Sequence, residues 1–216
     1  MAPFCAVEWQ LLGAYKITRL DKLHIVADSV CMIITNHREK LINAIIYFAK
    51  NTNKCGKIKL LKLLYFFDFS HFKQTGKSVT GFQYFAWEMG PVPKKLFEEL
   101  SGKMGSDLVK AIHALPKEGF QKITPKKAFD DDCFSSRELR LLEEIAFIFK
   151  DANADQMIES THFRNEPWDK TIKERGEFQP IDYLLAVDDN RSSLSHDEAK
   201  DRMEERREMF KIFGVA

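Results

Sequence analysis

The chain has 216 residues, 44% hydrophobic and 30% charged, with a formal net charge of +1. That length suits one domain with appendages, and the charge balance excludes a general electrostatic attraction to nucleic acid or anionic membrane. Four scattered cysteines without a CxxC pair argue against a disulfide framework or structural zinc site, and no apolar run approaches the ~20 residues of a membrane helix.

Residues 1–31 have no sustained helical or strand period and read as an extension outside the core domain. Their start, MAPFCAVEWQ, carries Glu8 and lacks the charged and apolar regions of a secretory signal, so the expected compartment is the cytoplasm. From Met32 the pattern turns helical, with Leu41, Ile45 and Phe48 in register and Thr35 or Asn36 as candidate caps. Past Gly56, the run from Ile58 to Phe72 is apolar on nearly every side, which predicts a central buried helix stopped by Gly76. Val79 to Trp87 has the aromatic and β-branched content of a strand.

The segment YFAWEMGPVP (84–93) follows. Gly90 admits backbone geometry other residues resist, while Pro91 and Pro93 fix φ, so the segment reads as a stiff strand-to-helix joint. KKLFEELSG and SDLVKAIHAL read as helices divided at Gly102 and Gly105, and GFQKITPKKAF as a second strand, a candidate partner for the first. Ser135 and Glu138 have capping-box spacing ahead of an amphipathic helix with Leu139, Leu142, Ile145, Ala146 and Phe149 on one face. A short helix from Ala154 leads to a loop holding His162, Pro167 and Trp168, in which the indole reads either as a local clamp or, as tryptophan usually does, as core packing. After a turn at DDNRSS, Ser195 and Glu198 repeat the capping-box spacing before a charged helix, whose Met209, Phe210, Ile212 and Phe213 are expected to dock in cis. The sum is α+β and predominantly α-helical: a compact helical domain around a buried central helix, with a small β-hairpin or sheet. Domain limits are expected at 1–31, 32–175 and 176–216.

Asp68 and His71 stand three apart, on one face of the central helix. Together with His162 they could form a metal-dependent hydrolase site or, as buried polar groups usually do, a satisfied structural network. No HExxH, phosphate-cradling glycine loop or nucleophile motif accompanies them, so no enzyme, metal or cofactor is expected. Lys54, Lys57, Lys59 and Lys62 form a basic face leading into the same helix. It reads either as a solvated rim or as a surface for an acidic protein partner. The helix is too apolar to read a DNA groove, so direct nucleic-acid binding is not expected.

The order LLKLLYFFDFSHFKQTGKSVTG, FQYFAWEMGPVP, FSSRELRLLEEI and THFRNEPW resembles the Panacea domain of SocA-like and phage-associated GepA-like antitoxins, over roughly Asn36 to Ile172. The matching positions are Lys62, Leu64, Tyr65, Asp68, His71, Gly76, Gly81, Tyr84, Gly90, Pro91, Pro93, His162, Pro167 and Trp168. The resemblance implies a bacterial or prophage protein that neutralises a toxin encoded by an adjacent gene through direct binding. Lys57, Lys59 and Lys62 are the candidate toxin contacts. Toxins paired with this family are chemically diverse, and one SocA-like relative acts instead as an adaptor delivering its toxin to ClpXP. The family is not known for catalysis, and it has no counterpart to the 31-residue leader.

Overall fold

The computed structural model describes residues 36–117, 120–163, 166–187 and 194–212. The leader, the DDNRSS turn and Phe213 lie outside them, as does the side chain of Phe210.

Helix α1 (36–51) packs Leu41, Ala44, Ile45 and Phe48 into the core. Lys54, at φ 51°, turns the chain into α2 (Lys57–Thr75), the predicted central helix, with twelve buried side chains from Lys59 to Phe72. Its apolar residues face several neighbours at once: the later helices Ser136–Ile148 and Ala154–Thr161, the strand Gly90–Pro93 and the 3₁₀ turn Tyr183–Ala186 all contact it. Gly76 ends α2 in the left-handed conformation at φ 71°, its N–H bonded to the Phe72 carbonyl.

Among the described residues, two small antiparallel sheets flank the helices. In the first, β1 (Tyr84–Trp87) pairs with β2 (Gly90–Pro93), matching Tyr84 to Pro93 and Trp87 to Gly90. The Gly-Pro-Val-Pro segment is therefore itself a strand, and Pro93 both ends it and caps α3 (Lys94–Ser101). Proline is tolerated because β2 is an edge strand. The other edge of β1 is covered by later chain: Phe178 N–H bonds the Ala86 carbonyl, Ala86 N–H the Gln179 carbonyl, and Ile181 N–H the Tyr84 carbonyl.

The expected strand start at Val79 is not observed, because the Val79 and Thr80 N–H groups bond the Asp68 carboxylate rather than a neighbouring strand. After α4 (Ser106–Ala111), residues read as helical from Ile112 onward form β3 (Ile112–Lys117), paired with β4 (Phe120–Pro125). Cross-strand pairing overrides the local helical pattern there, and the second predicted strand finds β3 rather than β1 as its partner.

Helices α5 (Ser136–Ile148) and α6 (Ala154–Thr161) both begin with complete capping boxes, Ser135 with Glu138 and Asn153 with Gln156. On α5 the fully buried positions include Leu141, whereas Leu139 and Phe149 pack only partly against the core. Pro167 and Trp168, expected in a loop, open α7 (Pro167–Arg175), where proline at the first position forfeits no helical bond. The 3₁₀ turn η1 (Tyr183–Ala186) stacks Tyr183 on Phe69, ring centroids 4.3 Å apart. Helix α8 (His196–Ile212) docks through Ala199, Met203 and an Arg202 bond to the Thr75 carbonyl. No helix among the described residues is long and apolar enough to cross a membrane.

Candidate functional site

Asp68 is fully buried on α2, and its carboxylate organises the loop that returns from Gly76 to β1. One oxygen accepts the Val79 and Thr80 N–H groups at 2.8 Å each. The other accepts the Thr80 hydroxyl and, at 2.8 Å, the Tyr84 hydroxyl. Burial raises its pKa above the usual carboxylate range against the pull of these donors. Gly76 and Gly81, at φ 71° and 72°, make the turns that bring Val79 and Thr80 to Asp68, and a Cβ on Gly81 would lie 2.6 Å from the His37 ring. The TGKSVTG signature is thus a loop wound around a carboxylate.

His71, three residues on, has its own partners: Nδ1 meets the Lys77 carbonyl at 2.7 Å and the Thr75 hydroxyl at 3.2 Å. Both Asp68 oxygens are engaged with structural donors and His71 bonds elsewhere, so the alternative Asp68/His71 hydrolase pair is not assembled. The network reading holds at this node.

The basic face is corrected more sharply. Lys59 and Lys62 are 1% and 2% exposed, so they form no solvated rim. The Lys59 ammonium donates to three carbonyls, those of Asn53, Lys150 and Ala152, tying the α1–α2 turn to the end of α5. The Lys62 ammonium donates to the Pro91 carbonyl at 2.9 Å and thereby grips β2. Burial lowers its pKa to about 7. Both lysines had the right helical spacing for a rim, but the helix is surrounded on those faces too. Only Lys57 of the three is half-exposed, its ammonium 4.3 Å above the centre of the Phe97 ring and bonded to Ser101.

The remaining motif residues meet beneath the hairpin. The His162 ring stacks on the Trp168 indole, and the indole N–H donates to the Trp87 carbonyl at 2.9 Å. This is internal packing that joins α6, α7 and β1. Gly90 sits against this junction at φ 92°; a Cβ there would lie 2.5 Å from the Thr161 hydroxyl and 2.8 Å from the Lys62 ammonium.

Two grooves open beside these motifs. One, of about 300 Å³, lies under the β1–β2 turn between Leu61, Trp87, Val92 and Phe97, with Lys62 among its lining residues and Met89 and Phe178 at its mouth. The other, of about 470 Å³, runs over Phe66 and Phe149 towards Phe163. Met89 is 53% and Phe178 62% exposed, and Phe147, Ile148 and Phe163 are exposed near the second groove. Sequence reading missed these. Phe147 and Ile148 fall off the apolar face of α5, which was a usable signal; Phe178 reaches the first groove only because 178–181 pairs with β1.

Motif residues that hold a loop and a hairpin in place, beside exposed apolar grooves, define a helical scaffold domain. Residues 60–169, just over half of the chain, match the family model for the antitoxin SocA-like, Panacea domain, and the chain belongs to that family. No curated protein and no solved structure matches it.

Proposed function

We propose that the protein is the antitoxin of a bacterial or prophage toxin–antitoxin system, neutralising a cognate toxin by direct protein–protein binding. The observation carrying this reading beyond family membership is the groove under the β1–β2 turn. It joins aromatic walls, the exposed Met89 and Phe178 and the charged Glu88, with Lys57 over the Phe97 ring that lines it, beside the Gly-Pro-Val-Pro signature. Aromatic and methionine side chains around a concave apolar centre, rimmed by charge, are the composition of binding hot spots. Lys57 keeps a place beside this surface, over the Phe97 ring that lines it, whereas Lys62 lines the groove only as a 2% exposed side chain held by the Pro91 carbonyl. Lys59 has no part in it, since its ammonium is enclosed by three carbonyls.

The test is co-expression with the neighbouring gene, whose product alone should arrest growth. The wild-type chain is expected to restore growth and to co-purify with the toxin. Met89→Arg and Phe178→Arg should weaken that binding by about ten-fold or more while leaving the fold intact. Failure of the wild-type chain to restore growth would remove the proposal. Toxin half-life measured with and without ClpXP separates occlusion from delivery to the protease.

A further inference from the structure

One residue beside the groove under the β1–β2 turn stands in a backbone conformation that its side chain opposes. Phe178 N–H bonds the Ala86 carbonyl at 2.7 Å, and Ala86 N–H bonds the Gln179 carbonyl at 2.9 Å, so two residues of the returning chain face one residue of β1. That is the pattern of a β-bulge whose first position is left-handed and ordinarily glycine. Here the first position is phenylalanine at φ 62°, where a bulky side chain is strained. Burial does not compensate, since the ring is 62% exposed and its centroid lies 6.1 Å from that of Trp87. Glycine or asparagine would make the same turn at lower cost. What the bulge does achieve is to bring an exposed aromatic ring to the groove, opposite the exposed Met89 of the turn.

We infer that this groove takes one large uncharged side chain of the toxin, aromatic or branched aliphatic, and that Phe178 is held out to cover it. At about 300 Å³ the groove lies at the lower end of ligand-sized pockets, with room for a single anchor rather than for the stripe of a helix. Its walls are apolar, and Trp87 and Phe97 meet edge to face with centroids 5.0 Å apart. Charge narrows the choice further. The Lys62 ammonium is held by the Pro91 carbonyl and offers the groove nothing. An acidic side chain would meet the exposed Glu88 of the turn, and a basic one would meet Lys57 over the Phe97 ring. An uncharged side chain meets neither penalty. The inference rests on the antitoxin reading for the identity of the partner, while the preference of the site is testable without any toxin.

The probes are the N-acetyl α-amides of phenylalanine, leucine, alanine, glutamate and lysine, titrated against the full chain and followed by NMR shifts of Trp87 and Phe97. The phenylalanine and leucine amides are expected to bind about ten-fold more tightly than the other three. Phe178→Asn should weaken the phenylalanine amide by about three-fold or more. Its melting temperature should stay at or above that of the wild type, because asparagine accepts the left-handed backbone. A ring kept for packing would instead lower the melting temperature and leave binding unchanged, and either result overturns the role of Phe178. Charged amides binding as tightly as the apolar ones would overturn the inference. So would the absence of shifts with every probe, the outcome if a second copy or another part of the chain fills the groove. The side-chain preference needs only the wild-type chain, so misfolding of the variant does not protect the idea. If the preference is found but the wild-type chain fails to rescue growth, the antitoxin reading falls and the site stands; if rescue succeeds without the preference, the reverse holds.

Discussion

The imidazole of His162 lies flat on the indole of Trp168, ring centroids 3.8 Å apart and planes within 7°. Because the indole N–H holds the Trp87 carbonyl, the stack couples the end of α6 to the hairpin as well as to α7. The contact uses the faces of the rings and needs no proton on the imidazole. Burial and the nearby Lys62 charge both lower the His162 pKa, and Nε2 has no partner.

His162→Phe should therefore keep the stack and remove an unmatched polar atom, with stability unchanged or raised by up to ~1 kcal/mol. The effect is pH-dependent. In the unfolded chain His162 takes up a proton as pH falls through its ordinary 6.5, whereas in the folded chain it does so only at lower pH. Its contribution thus disfavours folding progressively below that value. Chemical denaturation of both proteins across this range should show the variant gaining on the wild type as pH falls; a constant difference would contradict the assignment.

Gly90→Ala should destabilise by about 2–4 kcal/mol, combining a left-handed backbone with collisions against two polar groups. The φ of 92° and the 2.5 Å approach to Thr161 both oppose a side chain. Thermal melting of Gly90→Ala beside Gly102→Ala supplies the comparison. Gly102 has negative φ, and its nearest obstacle is a carbonyl at 3.3 Å, so the second change should cost less.

Asp68→Ala should cost about 3–5 kcal/mol by leaving buried donors unmatched, and it should loosen the loop between Gly76 and Gly81. Asp68→Asn should cost less, because its oxygen can still accept the two N–H groups and the Thr80 and Tyr84 hydroxyls can turn to accept from the amide. Urea titration gives the order. An alanine variant as stable as the wild type would show that the carboxylate is not the loop's organiser.

Lys62 makes stability rise with pH in the window above neutrality. Its folded pKa of about 7 lies below the ordinary 10.5, so between those values the unfolded chain holds more protons. Raising pH through that window should stabilise the wild type relative to Lys62→Met, and below about 7 the full penalty of the buried charge remains. Parallel wild-type and variant stabilities over that range would show that Lys62 is not titrating there.

Periodicity and punctuation alone located α2, its Gly76 stop, the two serine capping boxes and the helix starting at Ala154, because these depend on contacts within a few residues. The same local order carried the family signature. What local pattern could not determine was where long-range partners lie. Whether Ile112 continued a helix or entered a strand depended on Pro125 and the strand around it. Whether Lys59 and Lys62 faced water depended on carbonyls 91, 93 and 29 residues away. The first groove likewise required Phe178 to be carried back along β1. The sequence by itself determined a helical scaffold with a family motif. Tertiary structure decided which charges are buried and which apolar residues remain exposed, since burial is a property of what packs against a face, and those residues come from elsewhere in the chain.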